Sequence, residues 1–124
     1  MDAGEFTRIL KLFNSCGSIF IALSDSVRQK LIMDIADAGL EGINVTDLSA
    51  KTNLSRPAIS HHLKVLKDSG FVKPEKKGTQ IFYRLYVKKN LDEVSELIRQ
   101  IQQVLGKISA SEGGNIGAEE ENKK

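Results

Sequence analysis

The stretch Leu54-Ser55-Arg56-Pro57-Ala58-Ile59-Ser60-His61-His62-Leu63-Lys64-Val65-Leu66 decides how the rest of the chain is read. As a helix it has an apolar stripe at Ile59, Leu63 and Leu66, spaced four and three apart. Pro57, Ser60, His61 and Lys64 lie on another face, with Arg56 at its edge, and none of them is a large aliphatic. A short helix with a greasy back and small hydrogen-bonding groups in front suits insertion into a DNA major groove. Ser55 is placed to cap its start, and Pro57 falls in the first turn, where a missing N–H costs nothing. An ordinary amphipathic surface helix has the same back, so the neighbouring segments decide between the two.

Upstream, Thr46 is expected to cap a helix from Asp47 to about Thr52, with Leu48 and Ala50 as its buried contacts and Asp47 against the helix dipole. Asn53 then suits a sharp turn, because asparagine tolerates positive φ. Helix, short turn, helix is the helix-turn-helix unit. Downstream, Ser69-Gly70 stops the helix, Phe71-Val72-Lys73 begins a strand, and Ile81-Phe82-Tyr83-Arg84-Leu85-Tyr86 forms a second. Glu75-Lys76-Lys77-Gly78-Thr79 between them supplies a glycine turn. A basic-tipped hairpin directly after a helix-turn-helix is a wing, whose Lys76, Lys77 and Thr79 reach phosphates or a minor groove.

From about Gly4 to Leu23 apolar residues fall at Phe6, Ile9, Leu10, Phe13, Cys16 and Phe20, a helical spacing loosened near Gly17. Leu12, Ile19 and Ile21 widen that surface beyond one short domain's needs, so a second chain is expected to cover it. Ser24-Asp25-Ser26 offers N-caps for a helix carrying Val27, Leu31, Ile32, Ile35 and Ala36, stopped at Gly39, and Ile43-Asn44-Val45 suits a very short strand. The last helix, about Asn90 to Ile108, has a heptad seam at Leu91, Val94, Ile98, Ile101, Leu105 and Ile108. The expected fold is therefore mainly α with a small β-hairpin. Five helices and a two-stranded wing form one domain over 1–108, and an acidic tail over 109–124 is expected to be disordered.

Net charge is only +2 over 124 residues, but its distribution is uneven. Lys51, Arg56, Lys64, Lys67, Lys73, Lys76, Lys77, Arg84, Lys88 and Lys89 face only Asp68 and Glu75, so the middle of the chain is strongly basic and the ends are acidic. That is the footprint of a polyanion site. The one cysteine, Cys16, excludes an internal disulfide framework and a thiolate metal cluster within one chain. No apolar run approaches the ~18 residues of a membrane span. The start lacks a basic n-region, so the expected location is the cytoplasm.

Ala22-Leu23-Ser24-Asp25-Ser26-Val27-Arg28, then Leu54-Ser55, Ile59-Ser60-His61-His62-Leu63-Lys64-Val65-Leu66, Gly70-Phe71-Val72, Gly78 and Tyr83-Arg84-Leu85 together resemble the ArsR/SmtB family of winged-helix repressors, over roughly residues 6 to 105. The resemblance implies a homodimer through the first and last helices, which assigns dimerisation to Phe6, Ile9, Leu10, Phe13, Leu91, Val94, Ile98, Ile101 and Leu105. It implies binding of double-stranded DNA at an inverted repeat, with Arg56, Pro57, Ser60 and His61 at the base and phosphate contacts. Thr46, Ser55, Lys64, Lys76, Lys77 and Thr79 complete the expected DNA-binding set. Arg56 stands where the family commonly has glutamine and Pro57 where it has serine, so the operator sequence is not transferable.

Family metal sensors carry cysteines in the third helix, or Asp and His ligands paired with His or Glu in the last. Here Asn44-Val45-Thr46-Asp47-Leu48-Ser49 has no cysteine, and the last helix, with Asp92, Glu93 and Glu96, has no histidine. His61 and His62 point about 100° apart on a helix and do not chelate together. No metal and no cofactor are expected. Cys16 remains as a redox candidate, although a lone helical cysteine is commonly a small core hydrophobe. An enzyme is not expected, since no base, nucleophile and carboxylate are organised together. The competing class is a winged-helix protein-interaction module that docks a partner through its terminal helices, and the one-signed charge of the middle segment argues against it.

Overall fold

A computed structural model describes residues 1–112. Its helices are α1 (Ala3–Leu23), α2 (Ser26–Asp37), α3 (Val45–Lys51), α4 (Arg56–Asp68) and α5 (Lys88–Glu112). Its strands are β1 (Ile43–Asn44), β2 (Val72–Lys77) and β3 (Gln80–Leu85), with a 3-10 turn at Gly39–Glu41 before β1. The described residues form two compact units, one from Cys16 to Leu91 and the other from Met1–Ser15 with 92–112. Helix α5 passes the expected end at Ile108 and reaches Glu112. The acidic tail expected over 109–124 thus begins inside a helix, and 113–124 lie outside the described residues.

In the larger unit, the expected aliphatic stripes form the core. Leu31 and Ile35 of α2, Leu48 of α3, and Ile59, Leu63 and Leu66 of α4 are fully buried, with Ile43, Phe71 and Val72 beside them. Each such burial contributes about 1.5–3 kcal/mol. Cys16, Ile19 and Ala22 of α1 are buried as well. Two expected contacts are not: Ala36 and Ala50 face solvent. The buried α2 stripe runs through Arg28, Leu31 and Ile35, and the helical step of 100° then turns Ala36 outward. Asp25 caps α2 through the N–H groups of Val27 and Arg28, at 2.8 and 3.1 Å. The Arg28 N–H, and to a lesser degree that of Val27, holds the Asp25 carboxyl below its ordinary value. Capping by the carboxylate is therefore complete at neutral pH and is lost on acidification through that lowered value.

The sheet has three strands, in the order β1-β3-β2, all antiparallel. The expected two-stranded wing thus gains β1, whose Ile43 and Asn44 oppose Tyr83 and Phe82. A side chain at Gly42 would bring its Cβ to 2.8 Å from the Tyr83 carbonyl oxygen, and its φ of +75° suits only glycine. Pro74 is tolerated in β2 because that strand lies at the sheet edge.

In the smaller unit, the first turns of α1 and the last of α5 meet at an ion pair between Glu5 and Lys107, 2.8 Å apart. On α5, Glu96 accepts from Arg99 and Gln100, which hold its carboxyl at about 2. Leu97 and Gln100 are buried and Ile9, Val94 and Ile101 half-buried, whereas Phe6, Leu10, Phe13, Ile98 and Leu105 keep about half their surface exposed. Helix α1 runs unbroken through Gly17. Its length and apolar content, at a mean hydropathy of 1.3, also meet those of a membrane span. Arg8, Lys11 and Asn14 interrupt its apolar residues, so it holds no unbroken apolar run of that length.

Candidate nucleic-acid interface

Helix α4 is set by its cap and its stripe. The Ser55 hydroxyl accepts from the Ala58 N–H at 3.3 Å, and Pro57 sits in the first turn. Burial of Ile59, Leu63 and Leu66 then leaves Arg56, Pro57, Ser60, His61 and Lys64 exposed together. Lys64 is the one member already paired, with Asp68 at 3.0 Å. His62 is turned toward the protein, where its Nδ1 lies 3.3 Å from Nη1 of Arg28. Because arginine only donates, that ring nitrogen accepts.

The turn between α3 and α4 is held differently from expectation. Among the described residues no non-glycine residue has positive φ, so Asn53 does not make the bend through a left-handed conformation. Side chains hold it instead: Thr52 Oγ1 accepts from the Leu54 N–H at 3.4 Å, and the Ser49 hydroxyl donates to the Leu54 carbonyl at 3.3 Å. The cap of α3 is Asn44, whose Oδ1 accepts from the Asp47 N–H at 2.8 Å. Thr46, expected as that cap, lies inside the first turn, since the helix starts two residues earlier than read from sequence. Its side chain is exposed there.

The wing is tighter than expected. Both strands extend inward until only Gly78 and Thr79 remain as the loop. Gly78 takes a φ of +63°, and Thr79 does not, the pattern of a two-residue II′ hairpin. Lys76 and Lys77 therefore stand in β2, and neighbouring strand residues face opposite sides. Lys76 shares a side with Val72 and Tyr83, toward α4. Lys77 goes to the other side, where its ammonium reaches the Glu41 carbonyl at 3.0 Å and lies 5.1 Å from the Phe82 ring centre. On that outer side Lys73 and Arg84 oppose each other across the strands, both over the Tyr86 ring. The expected pair of wing lysines is split, and of the two only Lys76 lies on the side toward α4. Thr79 is exposed at the tip.

The model of the bacterial regulatory protein, arsR family, matches residues 25–73, which span α2 to the start of β2. The transcriptional repressor SdpR of Bacillus subtilis is 31% identical over 86 residues, 69% of this chain and 92% of that protein. An HTH-type transcriptional regulator of Methanocaldococcus jannaschii is 30% identical over 95 residues, 77% of this chain and all of that one. The chain belongs to the ArsR family. An ArsR-like transcriptional regulator from Rhodococcus sp. RHA1 superposes with a TM-score of 0.71 at 25% identity, covering 82% of this chain and 90% of its own. The chain thus has the winged helix-turn-helix fold of a DNA-binding ArsR regulator, with α3 and α4 as the helix-turn-helix.

Within that family fold, Arg28 is the residue that sequence reading passed over. Its guanidinium donates to the Ala22 carbonyl at 3.0 Å and the Ile21 carbonyl at 2.9 Å, and the same group meets His62. One buried cation so joins the end of α1, the start of α2 and the middle of α4. The spacing Arg28, Leu31, Ile35 was the available signal, because it places a charge on an apolar stripe. Cys16, the redox candidate, is fully buried. Among the described residues no three His, Cys, Asp or Glu side chains gather in one place.

Proposed function

We propose that this chain is a transcriptional repressor that binds an inverted-repeat operator as a homodimer in the cytoplasm. The observation that carries the reading is the exposed α4 face of Arg56, Pro57, Ser60, His61 and Lys64, free of large aliphatics, with Lys76 on the same side. Arg56 reads a guanine by two hydrogen bonds, Ser60 lets the helix approach closely, and His61 donates to a base edge or phosphate. Phe6, Leu10, Phe13, Ile98 and Leu105 supply the dimer surface, and the twofold axis this creates matches the palindromic operator. Ile9, Val94 and Ile101 extend that surface as half-buried neighbours, and Leu91 continues the α5 seam. The test is a gel shift with DNA upstream of the protein's own gene, across a salt series.

Two outcomes are specific. Arg56→Ala is expected to cost roughly 1–3 kcal/mol on the operator and to relax preference at one base pair per half-site. Dissociation constants on operator and scrambled DNA at one salt concentration measure it; an unchanged ratio of the two would remove Arg56 from the reading set. Lys76→Ala is expected to weaken both DNAs alike and to lower the salt slope by about one per subunit. Lys77→Ala, whose ammonium is already taken by Glu41, is expected to change the slope less. Equal slopes for the two variants would mean that the Glu41 contact yields to a phosphate.

A further inference from the structure

Between α4 and β3 lies a cleft of about 210 Å³, lined by Ser60, Leu63, Lys64, Lys67 and Asp68 of the helix and by Tyr83 of the strand. We propose that this cleft seats one phosphodiester of the operator backbone, with Lys67 and Tyr83 as its contacts. The assignment rests on the DNA-binding reading above and extends it to residues that reading does not use.

Charge comes first. Lys64 and Asp68 neutralise each other at 3.0 Å, which leaves Lys67 as the surplus cation. Among the described residues no ion pair takes up Lys67, and no hydrogen bond takes up the Tyr83 hydroxyl. Beside the Lys64–Asp68 pair, whose charges cancel, the cleft is therefore lined by the surplus Lys67, by the hydroxyl-bearing Ser60 and Tyr83, and by Leu63. A phosphodiester is a monoanion whose oxygens only accept, so it suits Lys67 and the Tyr83 hydroxyl, the donors that the Lys64–Asp68 pair leaves over. A base edge needs a mixed pattern of donors and acceptors.

Position points the same way. Lys67 stands eleven residues beyond Arg56 on α4, about 16 Å along the axis at 1.5 Å per residue. The major groove is only about 12 Å wide and 8.5 Å deep. With the first turn of α4 at the groove floor, the turn carrying Lys67 lies at the groove wall, where the sugar-phosphate chain runs. Tyr83 faces it across the cleft, on the same side of the sheet as Lys76, so the wing and the helix end grip one strand between them.

The test compares wild type, Lys67→Gln and Tyr83→Phe on operator and scrambled duplexes over a salt series. It adds operators carrying a neutral methylphosphonate at single positions. Both variants are expected to bind operator and scrambled DNA roughly three- to tenfold more weakly, each DNA alike. Lys67→Gln lowers the salt slope by about one per subunit, whereas Tyr83→Phe leaves the slope unchanged, because a neutral donor releases no counterion. One methylphosphonate per half-site then weakens wild type but not Lys67→Gln. Lys67 is exposed, so this arm does not depend on how Tyr83→Phe folds. Wild type that binds DNA while Lys67→Gln keeps the full slope overturns the proposal alone, as does a loss confined to the operator. Wild type that binds no DNA overturns the parent reading and this one with it.

Discussion

Ile98→Glu is expected to convert the protein into a monomer that no longer retains its operator. Ile98 leaves half its surface exposed in the single chain, on α5, and Leu105 one heptad further does the same. Phe6, Leu10 and Phe13 repeat this on the part of α1 that belongs to the same compact unit. Three- and fourfold spacing on both helices makes these residues continuous apolar stripes, which a monomer in water has no reason to keep bare. In a twofold interface each substitution appears twice, so Ile98→Glu buries two unpaired carboxylates at a cost of several kcal/mol. The monomer itself loses little, since the side chain was already half in solvent. Light scattering at micromolar concentration is the measurement, with circular dichroism to confirm that the helices persist. A stable wild-type monomer, or a variant that still dimerises, would show that this face has another use. Loss of the dimer should also abolish high-affinity operator binding while leaving each recognition helix intact, which separates association from base reading.

The helices were legible because their signals are local. The α4 stripe Ile59, Leu63, Leu66 and its Ser55 cap need nothing beyond one turn of helix on either side, and both are found as read. The position of the hairpin followed from two strand-forming runs, Phe71-Val72-Lys73 and Ile81 to Tyr86, on either side of the Gly78 turn. What was not legible depends on partners far away in sequence. Whether Lys76 or Lys77 faces the recognition helix is decided by strand register, and a shift of one residue reverses the answer. That β1 joins the sheet depends on a pairing with Tyr83 and Phe82 some forty positions on, admitted by Gly42. The cap of α3 was misplaced by two residues because Asn44 and Thr46 are both good caps, and the extended backbone at Asn44 chose between them. Arg28 was missed for the opposite reason. A cation at the start of a helix reads as a solvated charge unless the carbonyls it serves are known.

Arg28→Met is expected to destabilise the fold more than any single change on the exposed α4 face. Methionine keeps the aliphatic stem on the core stripe with Leu31 and Ile35, so the loss isolates the guanidinium. Of its two carbonyl partners, that of Ile21 retains the Ser24 hydroxyl at 2.8 Å, so it is not orphaned. The carbonyl of Ala22, a fully buried residue, has no such replacement among the described residues. His62 also loses the donor to its Nδ1. Hydrogen bonds from a charged donor are worth about 1.5–3 kcal/mol, and an unsatisfied buried carbonyl costs about 1–3. A total of roughly 2–4 kcal/mol corresponds to a fall in melting temperature on the order of 10 °C or more for a chain of this size. His62→Ala removes only the outer of these contacts, and its half-buried site lets water reach the freed Nη1, so a smaller fall of about 1 kcal/mol is expected. Thermal melts of the two variants measure the order, and operator-to-scrambled binding ratios accompany them. His62→Ala should keep that ratio while His61→Ala lowers it, because the two rings point to opposite duties on one helix. A melt for Arg28→Met within 2 °C of wild type would mean that water serves the Ala22 carbonyl as well as the guanidinium does. A larger loss from His62→Ala would make the histidine, not the arginine, the group that holds α4 against the end of α1.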